Sequence, residues 1–145
     1  MAGGECMDNS QNVSWKMITE MENHTRKLGV KRVIVVASMD DAGSSWVSHM
    51  KAVDIITSIP EDPQQQEYPG HNAIAIAYCK AAEMADTKLN SGSKARSAYQ
   101  GEFGHPGGLI KQVQSGFNVT VFSGASGEQD VAIAKVGMDG YQKAR

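Results

Sequence analysis

Three consecutive stretches in the last third decide the fold of this chain: Gly104-His105-Pro106-Gly107-Gly108, Leu109 to Ser123, and Gly124-Ala125-Ser126-Gly127-Glu128-Gln129-Asp130. They predict a glycine-rich loop, a β-hairpin that turns at Ser115-Gly116, and a second glycine-rich loop that leads into a helix. Ordering glycine is costly in backbone entropy. A compact unit with two such loops is therefore expected to use the backbone there, either for tight packing or for a ligand.

Upstream of this unit, the pattern predicts a helix, two antiparallel strands and a second helix. The first helix begins at Ser14, its N-cap, and ends at Gly29. Val30 to Met39 is uncharged and largely β-branched, which is typical of a strand that is buried on both faces at the centre of its sheet. Ser44 to Lys51 is a half-buried strand, and Asn72 caps an alanine-rich helix.

The remaining segments complete the domain. Residues 1–12 are polar and without pattern, so we expect a flexible N-terminal tail and a single domain over residues 13–145. Pro60 to Pro69 is a polar loop punctuated by proline, and Lys94 to Gln100 is expected to be a short exposed helix. The order of elements predicts an α+β fold, with an antiparallel sheet flanked by helices.

Composition excludes several classes of function. The formal net charge is −2 and the 14 Lys and Arg residues are scattered, so no nucleic acid is expected as partner. No apolar run approaches the roughly 20 residues of a membrane span, and the N-terminus does not resemble a signal peptide. We therefore expect a cytoplasmic protein. Cys6 and Cys79 form no metal motif.

A family resemblance is carried by four motifs: Met39 to Gly43, Ala77 to Ala81, Pro106 to Leu109, and Ser123 to Asp130. Together they resemble the GlcG/HbpS family, the heme-binding or DUF336 group that includes the C-terminal domain of PduO-type proteins. The last motif is the most specific, and the match spans about residues 14–144. The resemblance implies a profilin-like fold and assembly as a dimer or larger homo-oligomer. Some members of the family bind heme.

Two departures from the family pattern lie where a pocket would be remodelled. Ile110 and Lys111 stand where a proline usually follows the two glycines and leucine. Met50-Lys51-Ala52 stands in place of the family's Met-Asp-Gly.

The four histidines differ in their prospects as ligands. His24 and His49 are expected at the surface of a helix and a strand, whereas His71 and His105 lie in predicted loops. Binding residues concentrate on loops held by a rigid scaffold. His71 and His105 are therefore the candidate cofactor-binding residues, and an axial heme ligand is a neutral imidazole of this kind. No histidine pair has the spacing of a preformed metal site on a helix, so no metal is expected.

Three residues could instead carry acid–base catalysis. Glu102 and His105 are three apart in one loop and could form a general base pair, or they could be unrelated polar residues of a solvated loop. Lys80 stands on an otherwise apolar helix, where it either extends to solvent or points its ammonium at an anionic ligand.

The second glycine-rich loop has two interpretations. Gly124, Ala125, Ser126 and Gly127 could bind a carboxylate or phosphate of a cofactor through backbone N–H groups at a helix N-terminus. Alternatively, they form a tight turn whose capping box pairs Ser126 with Gln129. The loop matches neither a P-loop nor a dinucleotide-binding motif.

Three hypotheses follow. The first is a small-ligand-binding protein that takes heme or a related planar cofactor through His71 or His105. The second is a small cofactor-independent catabolic enzyme, of lyase, isomerase or hydrolase type, which acts on a small organic acid with Glu102, His105 and Lys80 in its site. The third is an assembly role, in which the alanine-rich helix and the last helix bury an oligomer interface.

Overall fold

The structure, a computed structural model, describes residues 9–43, 45–54, 57–58 and 70–144. Within them the chain forms these elements, in order: α1 (Asn9–Leu28), β1 (Val33–Asp40), β2 (Trp46–Ala52), β3 (Thr57–Ser58), β4 (His71–Asn72), α2 (Ala73–Thr87), β5 (Gly108–Val113), β6 (Gly116–Ser123) and α3 (Gly127–Ala144).

Four strands form one antiparallel sheet in the order β2-β1-β6-β5. Val36 of β1 pairs with His49 on one side and with Thr120 on the other. The predicted central position of the first strand is therefore confirmed, as is the α+β class. The short strands β3 and β4 pair separately, with Thr57 opposite Asn72.

The helices cover both faces of the sheet. Val33 and Val35 of β1 pack with Ala77 of α2 on one face. Ile34 and Val36 point to the other face, where α1 and α3 supply Met17, Met21 and Ile133. Side chains of a strand alternate between faces, so a strand covered on both sides is apolar at every position. This explains the uninterrupted run that marked β1 in the sequence.

Local capping signals fix most helix ends. At the end of α1, Gly29 N donates to Arg26 O at 3.2 Å and Val30 N donates to Thr25 O at 3.1 Å, the pair of bonds that defines a Schellman motif. Gly29 has a positive φ of 70°, as its predicted terminating position requires. Asn72 caps α2 as predicted, because its Oδ1 accepts from Ile74 N and Ala75 N.

One predicted helix start and one predicted helix are wrong. The helix α1 begins at Asn9, so Ser14 lies inside it and is not its N-cap. Residues 94–100 form bends and turns rather than a helix, because the Arg96 side chain is bound to carboxylates on both sides of the segment. The predicted loop at Pro60 to Pro69 and residues 1–8 of the predicted tail lie outside the described residues, whereas residues 9–12 of that tail belong to α1. None of the described helices combines the length and apolar character needed to cross a membrane.

Candidate functional site

A cavity of about 310 Å³ lies where four segments meet: the N-terminal end of α2, the loop before β5, the residue before β1, and the loop between β6 and α3. Six residues that the sequence singled out line it: His71, Lys80, His105, Gly124, Ala125 and Gly127. Residues far apart in sequence are thus brought to one place by the ends of the central strands and the helix that covers them.

The floor of the cavity is a buried ion pair. Lys80 Nζ donates to Asp130 Oδ2 at 2.9 Å and to the carbonyl oxygen of Phe122 at 2.8 Å. The side chains of Lys80 and Asp130 are only 3% and 7% exposed. Lys80 therefore neither extends to solvent nor stands free for a ligand, because its charge is matched inside the protein. The pair joins α2, β6 and α3.

Burial and pairing oppose each other in this ion pair. Burial raises the pKa of the Asp130 carboxyl, and the ammonium of Lys80 acts against that rise. Burial also lowers the pKa of Lys80, against the attraction of the carboxylate. His105 lies near enough to Asp130 to lower the pKa of its carboxyl slightly as well.

Both histidines are exposed at the rim. His71 lies in β4, directly before the N-cap of α2. His105 lies in the loop before β5, with its ring 5.9 Å from the ring of Phe103. His24 and His49 are half-buried and do not line the cavity. His71 and His105 are therefore the imidazoles that a molecule in the cavity would meet.

Both glycine-rich loops use their backbone for close packing. A Cβ on Gly107, whose φ is +123°, would lie 2.5 Å from Lys80 Nζ and 2.9 Å from Phe122 O. A Cβ on Gly124, whose φ is +140°, would lie 2.2 Å from Arg32 Cγ. The loops thus fit closely against the side chains of Lys80 and Arg32. Tight packing was one of the two uses of glycine that the sequence left open.

In the second glycine-rich loop, residues 124–127, two of the four backbone N–H groups donate to side chains of the helix that follows. Ala125 N donates to Asp130 Oδ1 at 2.9 Å, and Ser126 N donates to Gln129 Oε1 at 3.3 Å. Gln129 N in turn donates to Ser126 Oγ at 3.2 Å, which confirms the predicted capping box. The backbone N–H groups of Ala125 and Ser126 are therefore bound internally, as the interpretation of the loop as a capped turn requires. That Gly124, Ala125, Ser126 and Gly127 bind a cofactor stays a prediction.

Glu102 does not pair with His105. Its carboxylate accepts two hydrogen bonds from Arg96, at 2.8 and 3.0 Å, and a third from Tyr99 N at 3.0 Å. Arg96 also binds Asp86 at 2.7 Å, so it ties the loop that leads to His105 onto the end of α2. The hydrogen bonds from Arg96 hold the pKa of Glu102 below its usual value. Glu102 therefore acts in a structural clamp with Arg96 and not in the predicted pair with His105, because the guanidinium of Arg96 occupies both of its carboxylate oxygens.

Sequence reasoning missed two charged residues that line the cavity, Arg32 and Asp130. A signal for Asp130 was present, since a lysine within an apolar helix needs a buried carboxylate partner. Arg32 precedes β1 and has a positive φ of 133°. Such a φ is uncommon for arginine, and no local sequence pattern predicts it. Among the described residues, no group of three or more His, Cys, Asp or Glu could hold a metal ion.

Two solved structures share this fold. The Klebsiella pneumoniae protein ORFY, a DUF336 protein, matches with a TM-score of 0.58 and 18% identity over 90% of this chain and 88% of that one. A PduOC:heme complex matches with a TM-score of 0.54 and 16% identity, over 89% of this chain and 91% of that one. This chain has the fold of a DUF336 protein. No family model matches it, and no curated protein sequence does.

The resemblance read from the four motifs is thus confirmed at the level of the DUF336 fold. Its most specific motif, Ser123 to Asp130, supplies the loop that closes the cavity and the carboxylate at its floor. Homo-oligomeric assembly, a cytoplasmic location and the profilin-like description stay predictions.

Proposed function

We propose that this chain is a small-ligand-binding protein whose cavity takes heme or a related planar macrocycle. The observation that carries the proposal is the presence of two histidines, His71 and His105, on the rim of one cavity. A protein of the same fold in complex with heme supports the choice of ligand.

The residues of the cavity fit such a group. Histidine imidazole is a common axial ligand of heme iron, and His71 and His105 both supply one. The side chains of Ala73, Ile76 and Pro106 give the cavity an apolar wall for a ring. The volume of about 310 Å³ is at the lower end of the range of small-molecule sites, about 300–1,000 Å³.

The chain's own residues would hold and orient the ligand. His71 and His105 would bind the iron, and the Lys80–Asp130 pair would hold α2, which carries Ala73 and Ile76 of the apolar wall. When bound, heme would supply an iron centre whose reactivity depends on its axial ligand and on the polarity around it. The clamp of Arg96 on Glu102 would keep the loop of His105 in place.

The test is a hemin titration of the purified protein, followed by absorption. We expect a shifted Soret band that is lost or strongly weakened in His71→Ala or His105→Ala. His24→Ala is the matched control, because His24 is half-buried on α1 and does not line the cavity. Absence of any spectral change with the native chain would refute the proposal, as would unchanged binding by the His71→Ala/His105→Ala double variant.

A further inference from the structure

The guanidinium of Arg32 is an unmatched cation at the cavity. Within the described part of the chain, no carboxylate pairs with it and no hydrogen bond from its side chain is formed. The preceding residue provides a contrast, since Lys31 Nζ pairs with Asp54 Oδ2 at 2.8 Å. Of these two adjacent cations, only Arg32 lines the cavity.

The stem of Arg32 is held in place by its surroundings. Its Cβ and Cγ fill the space over Gly124, where an added Cβ would come within 2.3 Å and 2.2 Å of them. Its carbonyl oxygen accepts from Val53 N at 2.6 Å, and its φ is +133°. Such a φ is strained for a residue other than glycine and persists only where the surrounding contacts hold it. A side chain that is already ordered loses less entropy when it binds a ligand.

The charges that line the cavity do not cancel. Asp130 is the one carboxylate among the described lining residues, and its two oxygens are occupied by Lys80 Nζ and Ala125 N. Lys80 and Asp130 neutralise each other at the floor. Among the described lining residues, Arg32 therefore leaves a net positive charge, and a ligand with a complementary anionic group would satisfy it.

From these contacts we propose that Arg32 binds a carboxylate of the ligand held in this cavity. A guanidinium presents two parallel N–H donors that match the two oxygens of a carboxylate. The inference rests on the proposed function, because it names the chemistry by which the same site recognises its ligand. A small carboxylic acid and a macrocycle that bears carboxylates share this chemistry, and the experiment separates them.

The experiment compares hemin with hemin dimethyl ester, whose two carboxylates are blocked, on the native chain, Arg32→Met and Lys31→Met. A charge-assisted pair supplies about 10- to 100-fold in affinity, so we expect the native chain to bind the ester weaker than hemin by that factor. Arg32→Met should bind hemin as weakly as the ester while leaving the affinity for the ester unchanged. Lys31→Met, the control for simple loss of a neighbouring charge, should behave as the native chain does.

The outcomes separate the two proposals. Equal binding of hemin and its ester by the native chain would overturn the carboxylate inference while leaving the proposed function intact, and that comparison does not depend on the folding of any variant. If neither porphyrin binds, a titration with sodium benzoate followed by NMR decides. Shifts at Arg32 and Gly124 that Arg32→Met removes would support the carboxylate inference without the macrocycle. No shift there would overturn the inference together with the proposed function.

Discussion

Replacing Lys80 by methionine tests how the floor of the cavity is held. Lys80→Met roughly keeps the length of the side chain but leaves the Asp130 carboxylate, 7% exposed, without its cation. The carbonyl of Phe122 loses a donor as well. Breaking a buried ion pair from one side costs about 3–5 kcal/mol in free energy of unfolding. We expect a loss within that range, a large part of the stability of a domain of this size.

The measurement is urea unfolding near neutral pH, followed by circular dichroism and extrapolated to water. Lys135→Met is the matched control, since Lys135 is exposed on α3 and its loss should change stability by no more than about 0.5 kcal/mol. The double variant Lys80→Met/Asp130→Asn removes both charges and keeps an acceptor for Ala125 N, so it should be more stable than Lys80→Met alone. A loss below about 1 kcal/mol for Lys80→Met, or strict additivity in the double variant, would refute this account of the floor.

Three further predictions concern other parts of the fold. Gly107→Ala should destabilise the chain by more than Gly104→Ala in thermal melts, because both residues have a positive φ but only Gly107 would place its Cβ against packed atoms; equal losses would contradict this. The hydrogen bond from Lys51 lowers the pKa of Glu22 from its ordinary value of 4.5. The stability that this bond contributes is therefore present above pH 4.5 and is lost as the pH falls through the lowered pKa. Glu22→Gln should remove this part of the acid dependence of the urea midpoint, and an unchanged pH profile would refute the prediction. Glu102→Gln should speed amide exchange in residues 99–104, because it weakens the hydrogen bonds from Arg96 and Tyr99 N, and exchange as slow as in the native chain would contradict the clamp.

The fold was readable from the sequence where local physics decides it. The β-branched run of β1, the terminating glycine at Gly29 and the cap at Asn72 each act through the chain within a few residues, and each prediction was confirmed. The segment Lys94 to Gln100 failed because its conformation depends on side-chain bonds from Arg96 to residues elsewhere in the chain.

The site was readable only in part, since its partners are distant in sequence. The structure places His71, His105 and residues of both glycine-rich loops, which the sequence singled out, at one cavity, and their role in binding stays a prediction. Lys80 and Asp130 are 50 residues apart, and they come within 2.9 Å because α2 packs against β6, the strand that leads into α3. The sequence paired Glu102 with His105 because they are neighbours in the chain, whereas a guanidinium six residues away takes Glu102.

The most direct test of the proposed binding site is an NMR titration of the ¹⁵N-labelled chain with gallium protoporphyrin, a diamagnetic substitute for heme. The chain offers a second, larger groove of about 740 Å³ on the α1 side of the sheet, lined by Ser38 and Asn118 among others and by no histidine of the described residues. We predict that the largest shifts fall on Arg32, His105 and Gly124. Shifts confined to Ser38, Asn118 and their surroundings, or no shifts at all, would contradict the assignment of the ligand to the cavity of the two histidines.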